Sequence, residues 1–262
     1  MAKYSISKLS ETELSNEDIE KIYAECKKSI GSSKGDYPAF DFSDLDLIFK
    51  VACGSRSLFT SINTGASPTP KDYIYRWIIS YCNAIKNPPS ARVASKKSSC
   101  NDPIIKTIIK NSQGVSDTVA TAQITTHNLC MSAENVLGNL LEEYIATNLR
   151  PYKWVWCAGN TLRAIDFCNE EGTILLQIKN KSNTENSSSL NIRSGTEIEK
   201  WYRLGTSTRG GKISPIYKWD KLNKIINDNL PEGKEPIELT ENDFEEFISN
   251  VVNANKKIIT GE

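Results

Sequence analysis

Three polar residues, Asp166, Gln177 and Lys179, fall within the stretch RAIDFCNEEGTILLQIK, which spans residues 163–179. They offer a carboxylate, an amide oxygen and an ammonium group. Carboxylate and amide oxygens are hard ligands of the kind that Mg²⁺ prefers, and a neighbouring cation can orient a water that the metal activates. The residue types therefore indicate metal-assisted hydrolysis, provided that the fold brings the three side chains together.

The stretch that carries these residues is predicted to form a β-hairpin, because apolar and largely β-branched segments flank the polar turn NEEG at residues 169–172. Side chains alternate along a strand, so Gln177 and Lys179 should share one face. Asp166 would meet them across the hairpin. The alternative is that Asp166 ends a strand at a turn and Lys179 is a solvated surface lysine, and spacing alone does not separate the two interpretations.

The elements around the hairpin predict an α/β or α+β protein. Helical spacing of apolar residues indicates helices from residue 15 to about 30, over 41–52 and over 73–85. A further amphipathic helix is predicted from Ala133 to about Asn148, with Ser132 as its N-terminal cap. Its predicted buried stripe consists of Leu137, Leu140, Leu141, Tyr144 and Ile145. The segment KWVWCA at residues 153–158 predicts another strand.

Charge is balanced over the 262 residues but unevenly distributed, with 32 basic and 32 acidic residues in total. Residues 179–224 contain ten Lys or Arg and four Asp or Glu. Residues 228–246 contain eight acidic residues and one lysine. A basic tract directly after the candidate site suits a polyanionic ligand, although solvated faces produce similar runs.

The cysteines and the lack of long apolar runs indicate the setting of the protein. Seven scattered cysteines without a CxxC pair, and His127 as the single histidine, argue against a zinc site. An odd number of cysteines without a signal peptide predicts reduced thiols and a cytoplasmic location. No apolar run approaches the roughly 18 residues that span a bilayer, so no membrane association is expected.

Four motifs lie within about residues 132–204: AEN-x-x-G-x-x-LEEYIA, WVWC-x-GN, RAIDF and LLQIKNKSNTENSSS-x-x-IR-x-GT-x-I-x-KW-x-R. Together they resemble the SinI-type type II restriction endonucleases of the PD-(D/E)XK nuclease superfamily, which recognise double-stranded DNA of the GGWCC type. The resemblance implies a small mixed sheet flanked by helices. We therefore expect a mostly helical N-terminal region over residues 1–130 and a nuclease core with a DNA-contacting segment and a C-terminal helix over residues 131–262.

The resemblance also implies a catalytic set. Asp166 takes the place of the metal-binding aspartate, Gln177 the place usually held by Glu or Asp, and Lys179 the place of the signature lysine. The sequence departs from the strict pattern, because Ile165 stands where Pro is usual and Gln177 removes one negative charge. Mg²⁺ would be held by Asp166, Gln177 and the carbonyl of Ile178, with Glu142 as a further ligand and Glu134 as the alternative to Glu142.

The same resemblance predicts the DNA-contacting residues after the catalytic strand. They supply amide, hydroxyl and cationic groups suited to groove edges and phosphates: Lys181, Asn183, Asn186, Ser187, Ser188, Ser189, Arg193, Lys200 and Arg203. Arg193 or Arg203 is expected to contact guanine. A surface loop rich in Ser and Asn is the structural alternative for this segment.

The expected partners follow from the type of target. A DNA recognition sequence that reads the same on both strands is usually bound by a symmetric dimer, so we expect a homodimer. We also expect a cognate DNA methyltransferase as genetic partner, since restriction enzymes occur with one. Two other functions stay open at this point. One is a structure-selective DNA repair or junction nuclease, and the other is a non-catalytic DNA-binding protein that keeps the same sheet.

Overall fold

The computed structural model describes residues 3–63, 67–94, 102–181 and 197–259. Within these ranges the chain forms seven α-helices and seven strands. The helices are α1 Asn16–Gly31, α2 Ser43–Gly54, α3 Pro70–Lys86, α4 Pro103–Gln113, α5 Asp117–Leu149, α6 Trp219–Asn227 and α7 Glu241–Ala254. The strands are β1 Lys3–Tyr4, β2 Ile62–Asn63, β3 Val155–Trp156, β4 Phe167–Cys168, β5 Leu175–Lys181, β6 Ile198–Arg209 and β7 Lys212–Tyr217. None of the described helices is long and apolar enough to cross a membrane.

The chain divides into two compact units. Unit 1 consists of Met1–Asn87 and Ile145–Glu241, and unit 2 of Pro88–Tyr144 and Asn242–Glu262. The first three helices belong to the same unit as the sheet. The domain boundary expected near residue 130 stays a prediction. The α+β class itself is confirmed.

The main sheet of unit 1 has five strands in the order β3-β4-β5-β6-β7. Strands β5 and β6 are parallel, and every other neighbouring pair is antiparallel. The sheet is therefore mixed, as the resemblance implied. The register of the parallel pair places Gln177 beside Lys200 and Lys179 beside Tyr202.

The predicted hairpin is confirmed as the antiparallel pair β4 and β5. Its turn is closed by Asn169, whose Oδ1 accepts the N–H groups of Thr173 and Ile174, each at 2.9 Å. Gly172 has a φ of +71°, a conformation that L side chains rarely adopt. A Cβ at this position would also lie 2.7 Å from a methyl carbon of Val51. Both features favour glycine and fix the register of the strand that carries Gln177.

Helices α1, α2 and α3 pack an aromatic core in unit 1 against the start of the sheet. Tyr23 and Phe49 stack with ring centroids 3.8 Å apart, and Trp77 lies 5.7 Å from Phe59 edge-on. Ser15 caps the start of α1, since its Oγ accepts the N–H of Asp18 at 3.1 Å. The same core includes Val155, Cys168 and Ile198 of the sheet.

The helix predicted from Ser132 begins earlier than expected. It is part of α5, a helix of 33 residues that starts at Asp117. Ser132 is not a cap, because its Oγ donates to the carbonyl of Asn128 one turn earlier, at 3.0 Å. Four members of the predicted stripe are buried as expected, while Leu137 is half-buried. Within unit 2, Tyr144 contacts Phe244 and Phe247 of α7, at centroid distances of 5.2 and 5.5 Å.

Candidate active site

Asp166 lies immediately before β4 and is fixed against β5 by two hydrogen bonds on either side of Gln177. Its N–H donates to the carbonyl of Leu176 at 2.8 Å, and its Oδ2 accepts the N–H of Ile178 at 2.6 Å. Its own carbonyl accepts the N–H of Cys157 at 2.9 Å, which ties the residue to β3 as well. The main chain on both sides therefore positions this carboxylate.

Burial raises the pKa of the half-buried Asp166 carboxyl to about 6. The hydrogen bond from Ile178 and the charge of Lys179 both lower the pKa, but they do not offset the loss of solvation. Lys179 is thus close enough to act electrostatically on Asp166. A perturbed carboxyl at a strand end is typical of functional sites, although structural groups also show such shifts.

Gln177 is 2% exposed, and its Oε1 atom has no hydrogen-bond partner among the described residues. A buried carbonyl oxygen without a partner costs roughly 1–3 kcal/mol, so such groups are uncommon unless something binds them. An oxygen of this kind beside a carboxylate fits a hard divalent cation. The donor set therefore fits Mg²⁺, with the amide taking the place of the usual second carboxylate.

The site is poor in negative charge. Among the described residues, no three His, Cys, Asp or Glu side chains cluster in a way that would hold a metal ion. A cation at Asp166 would thus depend on neutral oxygens, of which the Gln177 amide and the Ile178 carbonyl are the nearest candidates by sequence. Lys179 is half-buried and shares its strand face with Gln177.

The two candidate glutamates lie on the segment of α5 that belongs to unit 2. Glu134 is exposed and Glu142 is half-buried, and both take part in interactions within the chain. Asp166, Gln177 and Lys179 belong to unit 1. A metal-binding role for Glu142, or for Glu134 in its place, stays a prediction from the resemblance.

Of the predicted DNA-contacting residues, the structure describes three. Lys181 ends β5 and Lys200 lies on β6 beside Gln177, and both are half-buried. The ammonium group of Lys200 lies 4.8 Å from the ring centroid of Tyr202. The remaining six residues lie outside the described ranges: Asn183, Asn186, Ser187, Ser188, Ser189 and Arg193.

The position of Arg203 favours a structural role over the DNA contact predicted for it. The residue is 6% exposed, its Nε donates to Asn180 Oδ1 at 2.9 Å, and its Nη1 forms an ion pair with Glu241. Glu241 also accepts the indole N–H of Trp219 at 2.7 Å. A guanidinium held in this way would have to break a buried ion pair before it reached a base.

Sequence reasoning named no residue of the basic tract beyond Arg203. The structure places Lys218, Lys221 and Lys224 along one cleft with Lys200. A signal was available, because Lys221 and Lys224 are three residues apart and so share a helix face. What the sequence lacked was the partner element of that face, strand β6.

The fold and these residues define a class before any comparison is made. An acidic residue ahead of one strand and Gln-x-Lys on the next, in a mixed five-stranded sheet, are the features of a restriction-endonuclease-like α+β core. Residues 75–254 match the family model described as SinI restriction endonuclease. The chain belongs to that family.

Two curated relatives are similar over a shorter region. The type II restriction enzyme Eco47I of Escherichia coli is 40% identical over 129 residues, which cover 47% of this chain and 50% of that enzyme. The type II restriction enzyme SinI of Salmonella infantis is 37% identical over 128 residues, with the same coverage of 47% and 50%. The chain thus aligns with half the length of each relative.

Proposed function

We propose that this protein is a type II restriction endonuclease, which hydrolyses phosphodiester bonds of double-stranded DNA at a short specific site. The observation that carries the proposal is the placement of Asp166 against β5, together with the buried Gln177 amide oxygen, which has no hydrogen-bond partner among the described residues, and a lysine that interacts with the carboxylate. Membership of the SinI restriction endonuclease family and similarity to two enzymes named type II restriction enzymes support it.

The residues have distinct proposed roles. Asp166, Gln177 and the carbonyl of Ile178 would hold Mg²⁺, with Glu142 as a further ligand. Mg²⁺, when bound, would supply a Lewis acid for the scissile phosphate. Lys179 would orient the attacking water and lower its pKa through its positive charge. The hydrogen bond from the Ile178 N–H orients the Asp166 carboxylate, which supports its proposed role as a ligand.

Cleavage of plasmid DNA tests these roles most directly. Incubation with Mg²⁺ should give discrete bands, and both Asp166→Ala and Lys179→Ala should reduce cleavage to background while binding in Ca²⁺ persists. Lys153→Ala is the matched control, because Lys153 is 54% exposed and paired with Glu170 at 2.9 Å. It should cleave like the wild type. Robust cleavage by either site variant would refute the assignment.

The finer features of the target are also proposals. The SinI-type motifs support a recognition site of the GGWCC type, a homodimer that cuts one strand per subunit, and a cognate methyltransferase as genetic partner. Lys181, Lys200 and Arg193 are proposed to contact the DNA, together with the Ser and Asn residues of the segment 183–189. Mapping the cleaved ends on a sequenced plasmid tests the site. If Arg193 reads a guanine, Arg193→Ala should lose roughly 1–3 kcal/mol of base discrimination.

A non-catalytic DNA-binding protein is the second candidate, because one observation favours it. Gln177 replaces an acidic ligand, and the described residues contain no cluster of three ionisable metal ligands. Specific binding with no cleavage in either Mg²⁺ or Mn²⁺ would support this function. Cutting that depends on branched DNA would instead indicate a junction nuclease.

A further inference from the structure

A cleft lined by lysines opens beside the first half of β6 in unit 1. It has a volume of about 440 Å³ and lies between β6 and α6. We call it the lysine cleft and define it by Lys200, Lys218, Lys221 and Lys224, with Glu199 and Asp228 as the acidic residues of its lining. The lining thus carries twice as many cations as anions.

The cleft begins next to the candidate active site. The register of β5 and β6 puts Lys200 beside Gln177 and Tyr202 beside Lys179. Neighbouring strands are separated by about 4.8 Å, and paired residues in a sheet project to the same face. Lys200 and Tyr202 therefore stand one strand away from the residues proposed to handle the scissile phosphate.

Two elements hold the other lysines in place. Lys218 follows β7 directly, and its N–H donates to the carbonyl of Arg203 at 2.9 Å. Its side chain passes over Gly205, where a Cβ would lie 2.6 Å from the Cε atom of Lys218. Lys221 and Lys224 lie on the side of α6 opposite the residues that anchor the helix: Trp219, Leu222 and Ile226.

The charges of the cleft are only partly compensated. Lys224 binds Asp228 at 2.6 Å, and that pair is largely exposed. Within the described part of the chain, the ammonium groups of Lys218 and Lys221 form no ion pair, so Glu199 is the remaining acidic residue of the lining. A groove with this balance attracts anions, and lysine recognises phosphate as a compact charge without reading bases.

We propose that the lysine cleft binds backbone phosphates of the DNA strand that passes the Asp166 site, and so sets the position of that strand. The inference rests on the proposed nuclease function and adds a phosphate-binding surface to it. Lys218 and Lys221 act here as positioning residues. They contact phosphates of that strand on the Arg203 side of the sheet, away from the one to be cleaved and independently of the base sequence.

The test compares Lys218→Gln/Lys221→Gln with the wild type in Ca²⁺, by fluorescence anisotropy over a series of salt concentrations. Two duplexes of equal length are used, one with the mapped cleavage site and one without it. The variant should bind both duplexes about tenfold more weakly at low salt, and its slope of log affinity against log salt should be smaller by about two. Lys28→Gln/Lys50→Gln removes the same charge from exposed positions on α1 and α2 and should leave both quantities unchanged.

Each other outcome is decisive. If the double variant had the same DNA affinity and the same salt slope as the control variant, the proposed phosphate binding by the lysine cleft would be wrong. The proposed nuclease function would be unaffected. Weaker binding to only the duplex that contains the cleavage site would also contradict the proposal, because Lys218 and Lys221 would then contact bases rather than phosphates. If the wild type bound neither duplex and cut no plasmid, both proposals would fail. Should the double variant not fold, Lys221→Gln alone should lower the slope by about one and Lys221→Arg should restore it.

Discussion

The two faces of the sheet in unit 1 each contain a buried polar site, and the sites differ in how well their groups are satisfied. On one face, Arg203 is bound by Asn180 and Glu241, and Glu241 is bound in turn by Trp219. On the other face, Gln177 is equally buried, but its Oε1 has no partner within the described residues. The adjacent Asp166 carboxyl has a pKa raised by burial.

The difference is the one expected between a structural polar network and a site that binds a ligand. A buried polar network in which every group is paired fixes the packing of the elements that it joins. Unpaired oxygens and poorly solvated charges cost stability, so they are tolerated where a ligand completes them. This comparison, rather than the type of residue, supports a structural role for Arg203 and the role proposed for Gln177, while the predicted DNA contact of Arg203 stays a prediction.

The largest expected effect on stability is at Arg203. Arg203→Ala should lower the free energy of unfolding by about 3–5 kcal/mol, because it leaves Glu241 buried without its cation. Urea denaturation followed by circular dichroism measures the change. Lys224→Ala is the control for an exposed pair and should change stability by less than about 0.5 kcal/mol. A stable Arg203→Ala protein with altered cleavage preference would restore the DNA-contacting role and break the comparison.

The second largest effect on the free energy of unfolding is expected at Asp166, where a substitution should stabilise the protein. The pKa of this carboxyl is raised from a usual value of 3.8 to about 6, so the folded protein holds the proton more tightly than the unfolded chain does. Its contribution to stability is therefore fully present below about pH 4 and is lost as the pH rises through 6. At pH 8, Asp166→Asn should then stabilise the metal-free protein by up to about 3 kcal/mol while abolishing cleavage.

Thermal unfolding in EDTA at pH 4 and pH 8 checks this sign. The gain should appear at pH 8 and vanish near pH 4, where the wild-type carboxyl is protonated as well. Asp228→Asn serves as control, because Asp228 is 58% exposed and pairs with Lys224 at the surface. A wild type that is more stable than Asp166→Asn at pH 8 would show that the carboxylate is satisfied without a metal.

The smallest expected effect comes from Gln177. Gln177→Met keeps the size of the side chain and removes the unpaired oxygen, so it should stabilise the metal-free protein by about 1–3 kcal/mol. Gln177→Glu should destabilise the protein in EDTA, because it buries a second charge next to Asp166. Added Mg²⁺ should reverse that loss and bind more tightly than it does to the wild type. Equal stability of all three proteins in EDTA would mean that Oε1 is satisfied.

Local patterns were predictable from the sequence where neighbouring residues decide the structure. The hairpin of β4 and β5 follows from its apolar segments and its turn at Asn169 and Gly172, and the cap at Ser15 follows from its hydroxyl. The start of α5 was not predictable in this way. Serine is a common capping residue, yet the Ser132 hydroxyl donates to the carbonyl of Asn128 because the helix continues through this position.

The sequence by itself determined the hairpin that carries Asp166, Gln177 and Lys179, since a short polar turn between two apolar segments leaves few other arrangements. Only the tertiary structure decided which of the buried polar groups are paired, because the partners of Arg203 and the neighbours of Gln177 come from segments distant in the chain. The same holds for the lysine cleft. Its cations are readable as charges in the sequence, but a cleft exists only where α6 packs beside the first half of β6.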